Sequence, residues 1–193
     1  IFEDYTAANL SPYQLTRPCY TVPNGFYNLI ERLQQYLPNT PITLQCQPSH
    51  EIFIRKRFPK LTVNQLNKSL PTLFLNGRST FSHNHLLAML SDINSDKNYL
   101  FIKEQNIVSI FCRDELNNTM FQLLLKRPRF EELIKNARQQ CVVEEKKYIQ
   151  LTSHWWDYLD HLSGNLAMDF DQFPNKSLLE GDISSFTTLT NDH

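Results

Sequence analysis

Glycine is scarce in this chain. Gly25, Gly77, Gly164 and Gly181 are the only four among 193 residues, and none lies between Ile1 and Asn24. They form neither a P-loop nor a Gly-x-Ser-x-Gly elbow, which speaks against a classical NTPase or a serine hydrolase. The four cysteines, Cys19, Cys46, Cys112 and Cys141, stand far apart and form no C-x-x-C pair. Cys46 and Cys112 sit in apolar strand-like stretches, where a free thiol behaves as a small hydrophobe. A reduced, cytoplasmic protein is expected. No apolar run approaches about 20 residues, so no membrane span is expected. The formal charge of -1 lacks the concentrated positive excess of a nucleic-acid-binding domain. Two small basic clusters, Arg55-Lys56-Arg57 with Lys60 and Lys126-Arg127 with Arg129, read as solvated helix ends or loops. The chain opens at Ile1 with no basic n-region and no cleavage signature, so no targeting peptide is visible. The absent initiator methionine points to a trimmed chain.

What is present is enough for one core. Hydrophobic residues make up 41% of the chain, and a domain of this size buries roughly 70% of its unfolded surface. A short strand, Ile1-Phe-Glu-Asp4, leads into a proline-punctuated loop, Leu10 to Asn24. Asn24-Gly25 is a turn signal. Phe26, Leu29, Ile30, Leu33 and Leu37 then recur at helical spacing until Pro38. Pro41 to Cys46 reads as a strand, and Ser49 is the expected N-cap of a helix ending at Phe58-Pro59. Leu61-Thr-Val63 reads as a short strand. Leu70 to Leu75 is a nearly continuous apolar run, the pattern of a central strand, and Asn76-Gly77-Arg78 ends it.

A helix over His85 to Ile93, capped by Ser82 or Asn84, follows. Tyr99 to Ile102 and Ile107 to Phe111 read as two strands around a hairpin turn at Glu104-Gln-Asn106. Glu115 to Leu125 and Pro128 to Gln140 read as helices. Val142 to Leu151 is ambiguous. His154 to Leu162 reads as a helix closed by Gly164. Alternating strands and helices with a late hairpin predict an α/β fold, a three-layer Rossmann-like arrangement with a mixed sheet. Residues 1–175 read as the domain. Residues 176–193, polar from Gly181 onward, read as a linker.

Ligands in such sheets bind beyond the carboxyl ends of the strands, near the switch point. Asp4 to Arg17 and Asn76 to Arg78 both follow strands and converge there in this scheme. Loop backbone, a helix N-terminus and the guanidinium of Arg17 are suited to an oxyanion. Arg17 and Arg78 are therefore candidate phosphate ligands, against the alternative of arginines paired with carboxylates. Asp4 reads as a strand-end turn residue. His83-Asn-His85 lacks a zinc spacing and reads as a cap and surface pair. His154, Asp157, Tyr158 and His161 share a helix face, but an amphipathic helix packing Trp155, Leu159 and Leu162 inward explains the pattern better. Trp155-Trp156 reads as packing rather than a base-stacking pair.

Ile-Phe-Glu-Asp, then Leu10-x-Pro-x-x-Leu-Thr-Arg-Pro18, then Gly25 before a helix resembles a group of bacterial sugar nucleotidyltransferase-like proteins. Their relatives include the uridyltransferase half of the bifunctional N-acetylglucosamine-1-phosphate enzyme. Phe74-Leu-Asn-Gly-Arg78, Trp156-Asp157 and Asp169-Phe170 are similar to further elements of that group. The resemblance implies a Rossmann-like nucleotidyltransferase fold that turns a nucleoside triphosphate and a sugar 1-phosphate into a nucleotide sugar and pyrophosphate. It implies Arg17 as the catalytic cation, with Thr16, Gly25, Asn76, Gly77 and Arg78 around the nucleotide or sugar phosphate, and Mg²⁺ as cofactor. It also implies a following left-handed β-helix acyltransferase domain, through which copies would form a homo-oligomer. The chain departs from the group in its glycine-free first loop and in Arg78, which stands where the family places a metal-binding Asp. Those departures imply the alternative, a catalytically degenerate module that binds a nucleotide sugar or serves as a scaffold.

Overall fold

The first two residues already pair on both sides. In the computed structural model, which describes residues 1–66, 70–93 and 96–171, Phe2 bridges Asn76 in parallel. Phe2 N–H donates to the Leu75 carbonyl at 2.9 Å, and Gly77 N–H donates to the Phe2 carbonyl at 2.7 Å. On the other side the Ile1 amine donates to the Thr43 carbonyl at 2.7 Å, and Gln45 N–H donates to the Ile1 carbonyl at 2.9 Å. The expected opening strand is thus a short segment, paired at Ile1 and Phe2 and released by Asp4.

Around it lie β1 (Thr43–Leu44), β2 (Thr62–Val63), β3 (Thr72–Leu75), β4 (Ser79–Thr80), β5 (Asn98–Lys103), β6 (Asn106–Cys112), β7 (Cys141–Glu145) and β8 (Gln150–Leu151). β1 and β2 are parallel. β3 pairs antiparallel with β6, β6 antiparallel with β5, and β5 parallel with β7. The main sheet therefore runs β2, β1, the opening segment, β3, β6, β5, β7. A two-residue turn, Glu104-Gln105, joins β5 to β6, and Glu104 takes a φ of 54° there. β4 and β8 form a separate small antiparallel pair.

Helices cover both faces. They are α1 (Tyr13–Thr16), α2 (Leu29–Tyr36), α3 (Pro48–Arg57), α4 (His83–Ser91), α5 (Asp114–Leu125), α6 (Phe130–Ala137) and α7 (Asp157–Asp171). One face of the sheet, with Leu75, Phe101 and Val108, packs on Leu33 of α2, Ile54 of α3 and Met89 of α4. The other, with Phe74, Leu100 and Ile110, packs on Met120 and Leu124 of α5 and Leu133 of α6. The chain is a three-layer α/β domain with a mixed sheet. Strands buried on both faces explain why β3, β5 and β6 read as continuous apolar runs rather than alternations.

Several boundaries differ from the sequence pattern, each for a local reason. The helix expected at Gly25 begins at Leu29. Asn28 accepts from Glu31 N–H while the Glu31 carboxylate accepts from Asn28 N–H, a reciprocal cap that fixes the start. Pro48 rather than Ser49 opens α3; its missing N–H is harmless in a first turn. Ser82 caps α4. The loop from Leu10 to Asn24 contains α1 and a 3-10 turn at Cys19–Thr21, after another at Tyr5–Leu10. The ambiguous stretch resolves into β7 and β8.

The last helix departs most. Gly164 does not close α7; it lies inside it. Trp155, Leu159 and Leu162, expected to point inward, are 40%, 63% and 38% exposed, whereas Asn165 and Asp169 are buried. Among the described residues, no helix is long and apolar enough to cross a membrane. The tail from Gly181 and the linker over 176–193 lie outside the described residues.

Leu100, in β5, is fully buried. Leu100→Ala should lower the unfolding free energy by about 2–5 kcal/mol through the lost apolar contact and the cavity left behind. A urea titration reads this as an earlier midpoint with an unchanged slope.

Candidate functional site

Chain order sets where a site can form. From the opening segment the chain moves outward to β1 and β2, then returns to β3 on the opposite side. The switch point therefore lies between Phe2 and β3, and the residues leaving its carboxyl end are Glu3-Asp4 and Asn76-Gly77-Arg78. Ligand sites in open α/β sheets form at such a crevice.

Asp4 and Arg78 meet there. Arg78 Nε donates to Asp4 Oδ1 at 2.8 Å and Nη2 to Asp4 Oδ2 at 2.6 Å, with both side chains buried. Arg78 Nη2 also donates to Asn106 Oδ1 at 2.8 Å, and Nη1 to the Thr152 carbonyl at 2.9 Å and to Ser153 Oγ at 3.4 Å. The planar fork of arginine suits such a two-pronged contact, which a lysine would not reproduce. Asn76 Nδ2 donates to Asp4 Oδ2 and to the Ile107 carbonyl, while Asn76 Oδ1 accepts from Arg78 N–H. Ala7 N–H donates to Asp4 Oδ1 at 3.2 Å. Gly77 is required by proximity: a Cβ there would sit 2.8 Å from the Tyr20 ring and 3.0 Å from the Phe2 carbonyl oxygen.

Two spaces flank the pair. One, beside Gly77, Arg78, Thr152 and Tyr158, is a slit of about 10 Å³, too tight for anything beyond a water. The other is a polar cleft of about 330 Å³ bounded by Asp4, Tyr5, Asn106, Arg129, Phe130 and Glu131. Arg129 lies over the Tyr5 ring, 4.8 Å from its centre, and its Nη2 donates to Tyr5 Oη at 3.4 Å. Arg127, held at a φ of 51°, donates from Nε to the Asp4 carbonyl at 3.3 Å, and its Nη2 is buried with no partner.

A second buried ion pair closes the far side. Arg32 of α2 grips Asp169 of α7 through Nε at 3.0 Å and Nη2 at 2.7 Å. The same carboxylate accepts from Phe26 N–H at 2.9 Å and Tyr27 N–H at 3.4 Å. Gly25 has a φ of +108°, and a Cβ on it would overlap Asp169 Oδ2. The backbone donors after Gly25 therefore hold an anion supplied by the chain itself. Asn165 Nδ2 donates to Asn24 Oδ1, and Tyr158 Oη to the Cys19 carbonyl.

The structure thus gathers Asn76, Gly77 and Arg78 at the switch point, and Gly25 at the Asp169 clamp. Thr16 and Arg17 stand apart from both spaces. Thr16 Oγ1 donates to the Tyr13 carbonyl at the exposed end of α1, and exposed Arg17 lies 5.9 Å from the Phe53 ring centre. Sequence reasoning passed over Arg129 as a solvated cation and took Asp4 as a turn residue. The signal for Asp4 was its place at the end of the opening segment; for Arg129 there was none, because only tertiary packing brings α6 to that edge.

One thiol and two phenols beside the site are held neutral by burial. Burial, with the negative Glu3 nearby, keeps the Cys19 thiol well above its ordinary pKa. Burial does the same to the Tyr20 and Tyr158 hydroxyls. A thiol so protonated is no nucleophile. Among the described residues no three His, Cys, Asp or Glu side chains are placed to hold a metal ion, and both Asp4 oxygens are already committed. Asp4, bound to Arg78, Asn76 and Ala7, is therefore not left free to hold Mg²⁺.

Residues 1–177 match the family described as sugar nucleotidyl transferase. A comparison with curated proteins gives no match.

Asp4→Ala should destabilise the domain by about 3–5 kcal/mol, because Arg78 would stay buried without its counter-charge; chemical denaturation measures it. Gly25→Ala should also lower the melting temperature, since it meets both an unfavourable φ and the Asp169 carboxylate. Cys19 should resist alkylation at pH 8 in the folded protein and react on unfolding, read by mass spectrometry.

Proposed function

The chain belongs to the sugar nucleotidyl transferase family, and from that premise we propose that it binds a nucleotide sugar in the polar cleft beside Asp4 without turning it over efficiently. The observation that carries this reading is the Asp4–Arg78 pair. Resemblance to the family calls for a metal-binding Asp after the central strand, and this chain has a buried arginine there. That arginine spends its donors on Asp4, Asn106, Thr152 and Ser153. The pair holds the crevice in shape but offers no free charge to a reacting phosphate.

Binding in the cleft follows from its chemistry. Arg129 supplies a cation, and Tyr5 and Phe130 supply aromatic surface at the edge of a polar space of about 330 Å³. That space suits the diphosphate and sugar of a nucleotide sugar, with the base toward the rings. The β-helix acyltransferase continuation, the homo-oligomer it would build, and kinship to the N-acetylglucosamine-1-phosphate uridyltransferase belong to the same proposal.

Full nucleotidyl transfer is the second reading, supported by the cleft's position at the carboxyl ends of the strands. In it, a sugar 1-phosphate oxygen attacks the α-phosphorus in line. The bond from that phosphorus to the bridging oxygen breaks, and pyrophosphate leaves with the electron pair. This chain's contribution would be to position both substrates and to place Arg129 beside the charge.

Thermal shift and a pyrophosphate assay separate the two readings. A nucleotide sugar at about 100 times its Kd should add roughly 2.7 kcal/mol of stability. Arg129→Ala should weaken that binding by about 1.5–3 kcal/mol, and Arg17→Ala tests the cation that the family resemblance selects. Binding without pyrophosphate from any triphosphate and sugar 1-phosphate pair supports the first reading. Sustained pyrophosphate release supports the second. No shift with any nucleotide or nucleotide sugar overturns both.

A further inference from the structure

Two sequence motifs lie away from the polar cleft, and the structure sets them side by side. Arg17 closes the Leu-Thr-Arg-Pro motif at the exposed end of α1, and Trp155-Trp156 leads into α7. The Tyr13 ring of α1 meets the Tyr158 ring of α7 edge-on, with centres 6.3 Å apart. At its other end α1 is followed by Arg17, 5.9 Å from the Phe53 ring centre on α3. Along the surface, α1 therefore bridges α7 and α3.

These three elements carry apolar side chains into water. Leu15 of α1 is 70% exposed and Ile52 of α3 is 71% exposed. Tyr13, Trp155, Leu159 and Leu162 are exposed as well. The tryptophans are held in place. Asp157 ties their turn to α7 by accepting from Ser153 and His154 N–H, and the Trp156 ring lies parallel to His154 with centres 4.5 Å apart. Large apolar side chains fixed in water contribute little to the fold, but ordering them in advance lowers the entropy cost of an interface. With Trp156 they leave on the order of 500 Å² of apolar surface in water. A homodimer interface of about 800 Å² per partner, about 65% of it apolar, needs about the same.

Charge differs in sign at the two ends of this surface. From Ile52 to Ser91 the sequence has no Asp or Glu, while Arg55, Lys56, Arg57 and Lys60 crowd the end of α3. Arg55 is held by Glu51. Lys56 and Arg57 are exposed and have no carboxylate partner among the described residues. From Tyr148 to Asn175 the sequence has no Lys or Arg, while α7 carries four aspartates, of which Asp160 is exposed. An apolar surface that is basic at one end and acidic at the other complements itself after a half-turn. We propose that it is a two-fold interface between copies of this chain, with α7 of each copy laid on α3 of the other and α1 at the axis. The second copy supplies the matching charge as well as the matching apolar area. The interface is separate from the polar cleft bounded by Asp4, Tyr5 and Arg129, and it does not depend on a β-helix continuation.

Analytical sedimentation tests this, together with zero-length cross-linking of mixed isotope-labelled and unlabelled copies. The chain should run as a dimer at about 50 µM, since standard interfaces hold at micromolar Kd or tighter. Leu159→Asp should raise the dimer Kd about tenfold or more with an unchanged circular dichroism spectrum, because the new carboxylate would be buried in the interface without a partner. Lys56→Glu and Asp160→Lys should each weaken the dimer, and the two together should restore it. Cross-links from Lys56 or Lys60 to Asp160 should join a labelled copy to an unlabelled one. A chain that stays monomeric at about 50 µM overturns the proposal. So does a dimer indifferent to Leu159→Asp, which would be built on another surface. Growth beyond two copies also overturns it, since the contact would then run head to tail. No nucleotide or nucleotide sugar is present, so this result stands apart from the outcome at the polar cleft.

Discussion

The contact between Asp4 and Arg78 holds the opening segment to the end of β3. Asp4 ends the opening segment, and Arg78 follows β3. Through the same guanidinium, Asn106 at the start of β6 and Thr152 after β8 are drawn to one point. A buried pair of this kind gains its energy from geometry and complete hydrogen bonding rather than from charge alone. It is satisfied on every side, which makes it a rigid closure of the crevice and a poor reagent within it.

Much of the fold was legible because β3, β5 and β6 are largely apolar and helices such as α2 and α6 carry a clear inward stripe. Alternation separates Phe74 and Leu100 from Leu75 and Phe101 onto the two helical layers, whereas Val108 and Ile110, two residues apart, reach opposite layers through the irregularity in the β5–β6 register. The short strands were hard to delimit. β1, β2, β4 and β8 have two residues each, too few for a period to show.

The site was legible in part. Asn76, Gly77 and Arg78 marked the end of a central strand, and that is where the switch point lies. What composition could not reveal was how Arg78 is spent, since the same residue serves equally as a free phosphate ligand or as one half of a buried pair. α7 misled for a different reason. Its apolar residues have the spacing of an inward stripe, yet Asn165 and Asp169 take that place. Hydrogen bonds to Asn24, Phe26 and Arg32 settle the orientation against the hydrophobic pattern. Trp156-Asp157 and Asp169-Phe170 were noticed as motifs without a role. Asp157, the first residue of α7, accepts from Ser153 and His154 N–H and ties the preceding turn to the helix, and Asp169 clamps α2.

That clamp joins positions 137 residues apart. A helix at the edge of a domain ordinarily opens by itself, at little cost to the body it leaves. Here α7 cannot lift away without stranding a guanidinium in the interior and freeing the backbone donors behind Gly25. Its melting is thereby coupled to that of α2, and mechanical load applied to α7 would be borne by the central layers.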